Sequence, residues 1–148
     1  MRLTTRTNLA MRTLMYCAVN TGRNIRTSEI AKATNASENH LGQVINTLGQ
    51  TGFIKTVRGR GGGIRLGREP GDITVGGVFR VFEACVPFAE CFSPDACSCP
   101  LVSACRLNSS LSEALDAFYS TLDKVTLASL VDGNEGLKNL IGTDLETA

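Results

Sequence analysis

Two short helices joined by a tight turn occupy residues 28–50, and this order constrains the fold more than any other feature of the chain. Apolar residues at three- and four-residue spacing predict helices over Ser28–Thr34 and Glu38–Gln50. Ser37 closes the turn between them and can cap the second helix. That helix has a polar face without acidic residues after its first turn, and the face includes Asn39, His40 and Gln43. The pattern is typical of a helix–turn–helix, whose second helix enters the major groove of DNA.

Two predicted strands follow the helix pair directly. Strands over 53–57 and 64–66 flank the sequence RGRGGG at residues 58–63, which predicts a wing with a flexible basic tip. Glycines let the backbone approach a phosphate, and arginines supply planar donors for phosphates or a narrow minor groove. The run lacks the GxxxxGK[ST] spacing of a nucleotide loop, and no helix begins at its end.

These two elements define the expected DNA contacts. The amides of Asn39 and Gln43 can pair with adenine edges. A lone histidine is more often a surface or packing residue than a metal ligand, so we interpret His40 as a contact to base or backbone. The complete predicted set is Ser37, Asn39, His40, Gln43, Arg58, Arg60 and Arg65.

The remaining helices make the fold mainly α with a small β-wing. Apolar spacing predicts helices over 8–20, 74–85, about 106–131 and 137–141. The apolar seam of the helix predicted over about 106–131 lasts close to three heptads, and this length favours pairing with a second copy of the chain. Such a helix can also pack on its own domain. We expect a winged helix–turn–helix DNA-binding domain plus a long C-terminal dimerisation helix. The expected segments are a DNA-binding domain at 1–84, a cysteine-rich loop at 85–105, and a dimerisation helix with tail at 106–148.

Charge is distributed unevenly along the chain. Residues 1–68 hold eleven Lys or Arg and two acidic residues, a net charge of +9, whereas residues 69–148 hold four basic and twelve acidic residues, a net charge of −8. A basic half suits a polyphosphate partner, because each neutralised phosphate releases condensed counterions. A solvated basic face without a partner is the alternative that charge alone leaves open.

The residues give no support to an enzymatic function. The chain has one histidine and no serine or carboxylate placed to form a triad or an acid–base pair with it. Cys17 lies in the apolar run LMYCAV, which is typical of a buried core thiol. Arginines interrupt the apolar residues of the N-terminus, and no stretch is long enough to span a bilayer. We therefore expect a cytoplasmic protein, in which stable disulfides are rare.

Four cysteines lie within fifteen residues, in the run CFSPDACSCPLVSAC. The gaps between them are five, one and five residues, so the Cys-x-x-Cys pairs of structural zinc sites are absent from this sequence. Iron–sulfur clusters tolerate varied spacing and can take a ligand from elsewhere. The residues favour a cluster and leave zinc binding or a thiol switch open. The four candidates are Cys91, Cys97, Cys99 and Cys105.

Over nearly its whole length the chain resembles the Rrf2 family of bacterial winged-helix regulators. The resemblance rests on MRLTTRTNLAMR at the start, VRGRGGGIRLG in the wing and CPLVSACRL before the long helix. Members of this family are dimers that commonly sense through an iron–sulfur cluster held by three cysteines. The segment SENHLGQVIN is most similar to the nitric-oxide-sensing members, and Asn8 and MYCAVN are shared with the iron-responsive members.

The resemblance implies that Cys91, Cys99 and Cys105 are the cluster ligands. Cys99 precedes Cys105 by the family's five-residue gap, but Cys97, only two positions earlier, is a further candidate for the same place, so this assignment stays open. Some members complete the cluster with an N-terminal aspartate of the partner subunit, where this chain has Asn8. Asn8, water or Cys97 could fill the fourth place. The expected cluster is [4Fe–4S], with [2Fe–2S] as the alternative.

The implied function is a homodimeric repressor that binds a palindromic double-stranded promoter site and releases it when nitric oxide attacks the cluster. An iron-responsive repressor that senses iron or cluster status is the first alternative. The second is a zinc-stabilised scaffold that does not bind DNA.

Overall fold

The computed structural model of this protein describes residues 3–93, 95 and 97–143. Within them the chain is mainly helical with one two-stranded sheet, as the sequence predicts. Short 3₁₀ turns lie at Pro70–Asp72, Glu90–Phe92 and Val102–Ala104. Across the described ranges, every helix falls short of the length and apolar character needed to cross a membrane. The elements in chain order are α1 (Thr5–Val19), α2 (Thr27–Thr34), α3 (Glu38–Gln50), β1 (Ile54–Val57), β2 (Gly63–Leu66), α4 (Val75–Glu83), α5 (Arg106–Leu122), α6 (Leu127–Val131) and α7 (Glu135–Ile141).

The turn between α2 and α3 is fixed at its start by Asn35. This residue ends α2 in the left-handed conformation, with φ of 50°, which asparagine tolerates better than most side chains. At the other end of α2, the N–H of Arg26 donates to the Glu29 carboxylate at 3.0 Å. Ser37 stands at the N-cap position of α3, but its hydroxyl makes no capping hydrogen bond. The turn therefore depends on Asn35 rather than on the predicted serine cap.

The apolar stripes of the helix–turn–helix face a common core. Leu41, Val44 and Leu48 of α3 are fully buried, and Ile45 is half-buried at its edge. In α2, Ile30 and Ala31 are buried, whereas Ala33 is exposed. Thr34 continues the inward side of α2 instead, and its hydroxyl donates to the Ile30 carbonyl at 2.7 Å.

The wing is an antiparallel hairpin that is joined to the start of α2. Ile54 and Ile64 bury their side chains on its inner face. The N–H of Ile25 donates to the Ile64 carbonyl at 2.9 Å, and the N–H of Ile64 donates back to the Ile25 carbonyl at 2.8 Å. Gly63 allows this close approach, because a Cβ at that position would lie 2.5 Å from the Ile25 carbonyl oxygen. The wing base is thus fixed to the helix–turn–helix.

Helix α4 packs its predicted apolar side against the core. Thr74 caps it by accepting from the Gly77 N–H at 3.1 Å. The next helix, α5, lies along α4 and has no fully buried residue. The buried residues of α4 are Val75, Gly76, Val78, Phe79 and Phe82.

The prediction of one helix over 106–131 is wrong, because α5 ends at Leu122 and a separate helix α6 follows. Between them the chain pairs with the segment before α4: the N–H of Val75 donates to the Val125 carbonyl, and the N–H of Leu127 donates to the Ile73 carbonyl. Thr126 then caps α6 by accepting from the Ser129 N–H at 3.1 Å. Helix α6 contributes Leu127 and Val131 to the core beside α1.

The predicted tail helix is present as α7. Its end is joined to α1 through Asn20, whose amide donates to the Ile141 carbonyl at 2.9 Å and whose oxygen accepts from the Thr143 N–H at 2.8 Å. The division into segments 1–84, 85–105 and 106–148 remains a prediction, and residues 144–148 of the last segment lie outside the described residues.

Candidate DNA-binding surface and cysteine loop

The polar face of α3 is open to solvent. Asn39, His40 and Gln43 are all exposed, and so is Ser37 at the start of the helix. The only acidic residue of α3 is Glu38, in the first turn. The face therefore offers amide and imidazole groups that can read base edges, and the single carboxylate of α3 is confined to its first turn.

Arg6 of α1 adds a cation beside this face that sequence reasoning missed. Its Nη2 donates to the Thr47 hydroxyl of α3 at 3.2 Å, and its guanidinium lies 5.9 Å from the centre of the Phe82 ring of α4. Arg6 thus connects α3 with α4 through side-chain contacts. Its place in the sequence MRLTTRTNLAMR gave no signal, because the contact depends on tertiary packing.

The three arginines predicted in the wing are exposed. Arg58 and Arg60 lie in the turn between β1 and β2, and Arg65 lies on the outer face of β2. In the part of the chain that the structure describes, none of the three forms an ion pair with a carboxylate. The Asn24 amide holds the turn by donating to the Gly61 carbonyl at 2.9 Å. These charges are therefore free to meet phosphates, and Arg65 lines a groove together with Asn46 and Gln50 of α3.

The cysteine loop, residues 85–105, carries five thiols, and two short 3₁₀ turns are the only regular structure among its described residues. Cys91 lies in a 3₁₀ turn and Cys105 at the N-cap of α5, where the helix dipole favours a negative group. Cys91, Cys99 and Cys105 are half-exposed, whereas Cys97 and Cys85 are exposed. None of the six cysteines of the chain is in a disulfide, and all six lie in the described part. Cys85 was not singled out from the sequence, although it precedes Cys91 by six positions.

One carboxylate holds the cysteine loop together. Glu90 Oε1 accepts from the Ser98 N–H at 3.0 Å and from the Ser98 hydroxyl at 2.6 Å, and these hydrogen bonds lower the pKa of Glu90. The closure is exposed, so few buried contacts oppose a rearrangement of the loop.

A second carboxylate, Glu83, joins the end of α4 to the start of α1. Its Oε1 accepts from the Thr4 N–H at 2.9 Å, from the Thr4 hydroxyl at 3.1 Å and from the Thr7 hydroxyl. Thr7 is completely buried. We call these three residues the α1–α4 junction. Glu83 precedes Cys85, the first cysteine of the loop, by two positions.

The last turn of α4 is also joined to the end of α5. Arg80 donates to both carboxylate oxygens of Asp123, at 2.5 and 2.7 Å, and its guanidinium lies 4.6 Å from the centre of the Tyr119 ring. This pairing lowers the pKa of Asp123 and raises that of Arg80. The C-terminal end of α5 is therefore held on α4, whereas Leu107 near its N-terminal end is 65% exposed.

Residues 3–133 match the model of the Rrf2 family, which is described as iron-dependent transcriptional regulators. The chain belongs to the Rrf2 family. It is a transcriptional regulator and not an enzyme, and its winged helix–turn–helix is a DNA-binding fold.

Relatives and solved structures of Rrf2 regulators are similar over almost the whole chain. The HTH-type transcriptional regulator NsrR of Bacillus subtilis is 41% identical over 142 residues, which cover 95% of this chain and 97% of that protein. Protein aau3 of Rhizobium meliloti is 42% identical over 144 residues, which cover 97% and 94% of the two chains. The structure of T. potens IscR superimposes with a TM-score of 0.73 at 28% identity and covers 92% of this chain and 90% of that one. The expectation of an NsrR-like Rrf2 regulator is confirmed.

The thiols of this Rrf2 regulator suit an iron–sulfur cluster in their chemistry but are not gathered into a site. They are soft ligands on one accessible loop, as a cluster requires. Within the described ranges, no three Cys, His, Asp or Glu side chains converge closely enough to hold a metal ion. The donor set fits such a cluster in chemistry, and the loop would have to rearrange for three of its thiols to share one. Asn8, the possible fourth ligand, is exposed on α1.

Proposed function

We propose that this chain is a homodimeric transcriptional repressor that binds a palindromic promoter site and senses nitric oxide through an iron–sulfur cluster. Cys91, Cys99 and Cys105 hold the cluster, most simply [4Fe–4S], and Cys97 or Asn8 of the second protomer is available as a fourth ligand. The observation that carries the proposal is one accessible thiol-rich loop between the DNA-binding helices and α5.

The DNA-binding side of the proposal rests on α3 and the wing. Each protomer inserts α3 into a major groove, with Asn39, His40 and Gln43 at base edges. Arg58 and Arg60 contact the backbone or minor groove beside it. Two protomers related by a two-fold axis then read two half-sites about 34–36 Å apart, which is why the operator is a palindrome.

The dimer side of the proposal rests on the apolar seam of α5. Leu111, Leu115, Phe118 and Leu122 lie at three- and four-residue spacing, and each is only half-buried in the single chain. A second α5 covers such a seam in a helix pair.

A cluster held by Cys91, Cys99 and Cys105 would supply iron that reacts with nitric oxide, and the three thiolates would then be released from it. The residues of the chain convert this release into a change at DNA. A loop no longer tied at Cys91, Cys99 and Cys105 is free to move the end of α4, where Glu83 bonds to α1. Since Arg6 of α1 contacts Thr47 of α3, the recognition helix follows. A coupling free energy of about 1–3 kcal/mol suffices for a 5- to 150-fold change in DNA affinity.

Anaerobic purification tests the cluster first. The protein should carry iron and sulfide and absorb visible light, and nitric oxide below one equivalent per iron should weaken its binding to promoter DNA. Colourless protein with zinc would instead support the scaffold alternative. Were the DNA affinity unchanged by nitric oxide, the sensing mechanism would be wrong.

Alanine variants test the ligand set. Cys91→Ala, Cys99→Ala and Cys105→Ala should each lose iron on purification, and Cys97→Ala should keep it. Cys85→Ala is a matched control, because Cys85 is exposed in the same loop but lies outside the proposed set. Iron retained by Cys99→Ala and lost by Cys97→Ala would reverse that assignment.

An iron-responsive repressor is the second candidate, and the description of the family as iron-dependent favours it. Such a regulator loses its cluster when iron is withdrawn. Treating the cluster-bound protein in parallel with an iron chelator and with nitric oxide distinguishes the two. Faster loss of DNA binding with chelator than with substoichiometric nitric oxide would support iron as the signal.

A further inference from the structure

The outer face of the wing carries a basic surface that extends beyond the predicted DNA contacts and shares Arg65 with them. A cleft of about 820 Å³ lies between this face, the turn after α1 and the segment after β2. A shallower groove of about 560 Å³ lies between the same face and the C-terminal half of α3. Both are lined by Lys55 and Arg65, so they form one continuous surface that begins at the recognition helix. We call it the lateral surface and define it by Asn46, Gln50, Lys55, Arg65 and Arg68.

Two of its cations face each other across the hairpin. Lys55 and Arg65 are direct partners in the antiparallel register, and both side chains are exposed. Like charges directly opposite in a sheet are destabilising. In the described part of the chain, neither has a carboxylate partner to offset this repulsion. This pair of cations therefore does not stabilise the folded chain, but it would attract an anionic partner.

Arg68 extends the surface with a positioned guanidinium. Its Nη2 donates to the Thr51 carbonyl at 2.8 Å, and its guanidinium lies 4.6 Å from the centre of the Phe53 ring. These contacts fix the plane of the side chain while leaving other N–H donors exposed. A planar, pre-oriented guanidinium is well suited to phosphate.

Arg23 lines the same cleft but is not part of the lateral surface. It pairs with Glu29 at 2.8 Å and donates to the Thr143 hydroxyl at 3.0 Å. This pairing lowers the pKa of Glu29 and raises that of Arg23, so the charge of Arg23 is already balanced. The one acidic residue that lines the cleft is Glu69.

We propose that the lateral surface binds the phosphate backbone of duplex DNA that flanks the bases read by α3. This inference rests on the proposed DNA-binding function and adds Lys55 and Arg68 to the residues that perform it. The partner is duplex DNA rather than a small anion, because the cations are spread over two connected open grooves that continue from the recognition helix. Backbone contacts of this kind position the protein and add affinity without reading sequence.

The experiment uses full-length cluster-bound protein and a duplex that the wild type selects from a random-sequence library. The duplex is labelled with fluorescein and made in two lengths, one trimmed to the protected half-sites and one with ten further base pairs on each side. Fluorescence anisotropy gives the affinity at several salt concentrations for wild type, Lys55→Gln, Arg68→Gln and the double variant. Lys124→Gln is the matched control, since Lys124 is an exposed cation in the acidic half.

The wild type should bind the longer duplex more tightly, and the double variant should lose this preference. The logarithm of the affinity falls with the logarithm of the salt concentration, and removing one phosphate contact should make this fall less steep by about 0.9. Each substitution removes one contact per protomer, so in a dimer the slope should become less steep by about 1.8. Lys124→Gln should leave slope and preference unchanged. The melting temperature of Lys55→Gln should equal or exceed that of wild type, because the substitution removes a like-charge pair.

Two results would overturn the inference. Wild-type slope and length preference in the double variant would exclude backbone contacts at the lateral surface while leaving the proposed function intact. An equal decrease in affinity for both duplex lengths would place the contacts inside the half-sites instead of the flanks. A wild type that selects no duplex, with or without its cluster, would instead contradict the proposed function itself.

Discussion

Removing the Glu83 carboxylate should destabilise the protein through one buried hydroxyl. Glu83→Ala leaves Thr4 half-exposed, so its N–H and hydroxyl can turn to water. Thr7 is completely buried and loses its carboxylate acceptor, keeping only the Thr4 hydroxyl at 2.9 Å. A hydrogen bond to a charged group contributes about 1.5–3 kcal/mol. We therefore expect Glu83→Ala to lower the free energy of unfolding by about 2–3 kcal/mol.

A double-mutant cycle isolates this interaction. Thr7→Val removes the hydroxyl with little change of shape and should cost about 1–2 kcal/mol. The two substitutions share one hydrogen bond, so the double variant should be more stable than the sum of the single effects predicts, by about 1–2 kcal/mol. Urea unfolding followed by far-ultraviolet circular dichroism measures all four proteins under reducing conditions.

The control substitution is Glu113→Ala. Glu113 is an exposed carboxylate of α5 that makes no side-chain hydrogen bond in the described structure, and its removal should change stability by less than about 0.5 kcal/mol. Strict additivity of Glu83→Ala and Thr7→Val would refute the reasoning, because it would mean that the buried hydroxyl gains nothing from the carboxylate.

Three further outcomes follow from the packing. Gly63→Ala should destabilise the wing, because the added Cβ would force β2 away from Ile25. Gly42→Ala should stabilise α3 by about 0.5–1 kcal/mol, because a Cβ at that position meets nothing within 4 Å. Thermal unfolding measures both variants, and equal effects would contradict the close approach of Gly63 to Ile25. Burial raises the pKa of Cys17 to about 12, so maleimide at pH 8 should modify Cys85 and spare Cys17 until urea unfolds the chain, as mass spectrometry can record. Because the pKa of Cys17 is higher in the folded than in the unfolded chain, its contribution to stability is present below about pH 9 and is lost as the pH rises towards 12. Leu111→Lys on the α5 seam should shift sedimentation towards monomer and Glu113→Lys should not; a dimer unaffected by Leu111→Lys would exclude this seam as the interface.

The sequence predicted the DNA-binding half of the fold well because its signals there are local. Leu41, Val44 and Leu48 mark the inner side of α3 by spacing alone, and the glycines of RGRGGG mark the wing turn. The break between α5 and α6 was missed because apolar residues continue at helical spacing through Val125. What ends α5 there is pairing of Val125 with Val75, fifty positions earlier in the chain, and no local pattern encodes such a bond.

The candidate site was only partly predictable for the same reason. Spacing and residue type identified the thiols and the polar face of α3, which are properties of single segments. The α1–α4 junction brings Thr4 and Thr7 to Glu83 across more than seventy positions, and neither threonine stands out in sequence. Whether the thiols converge depends on the fold of the cysteine loop around its ligand, so their order along the chain could not decide it.

The attachment of α5 at one end makes it a lever. Its seventeen residues span about 25 Å. Arg80 holds its C-terminal end at Asp123, and its N-terminal end continues from the cysteine loop at Cys105. Turning such an arm by about 5° around Asp123 moves Cys105 by about 2 Å. A displacement of about 2 Å, the scale of one thiolate–metal bond, would therefore swing the apolar seam of α5 that is proposed to face a second protomer. A small movement at Cys105 would thus reach the proposed dimer seam along α5, in addition to reaching α1 and α3 through Glu83.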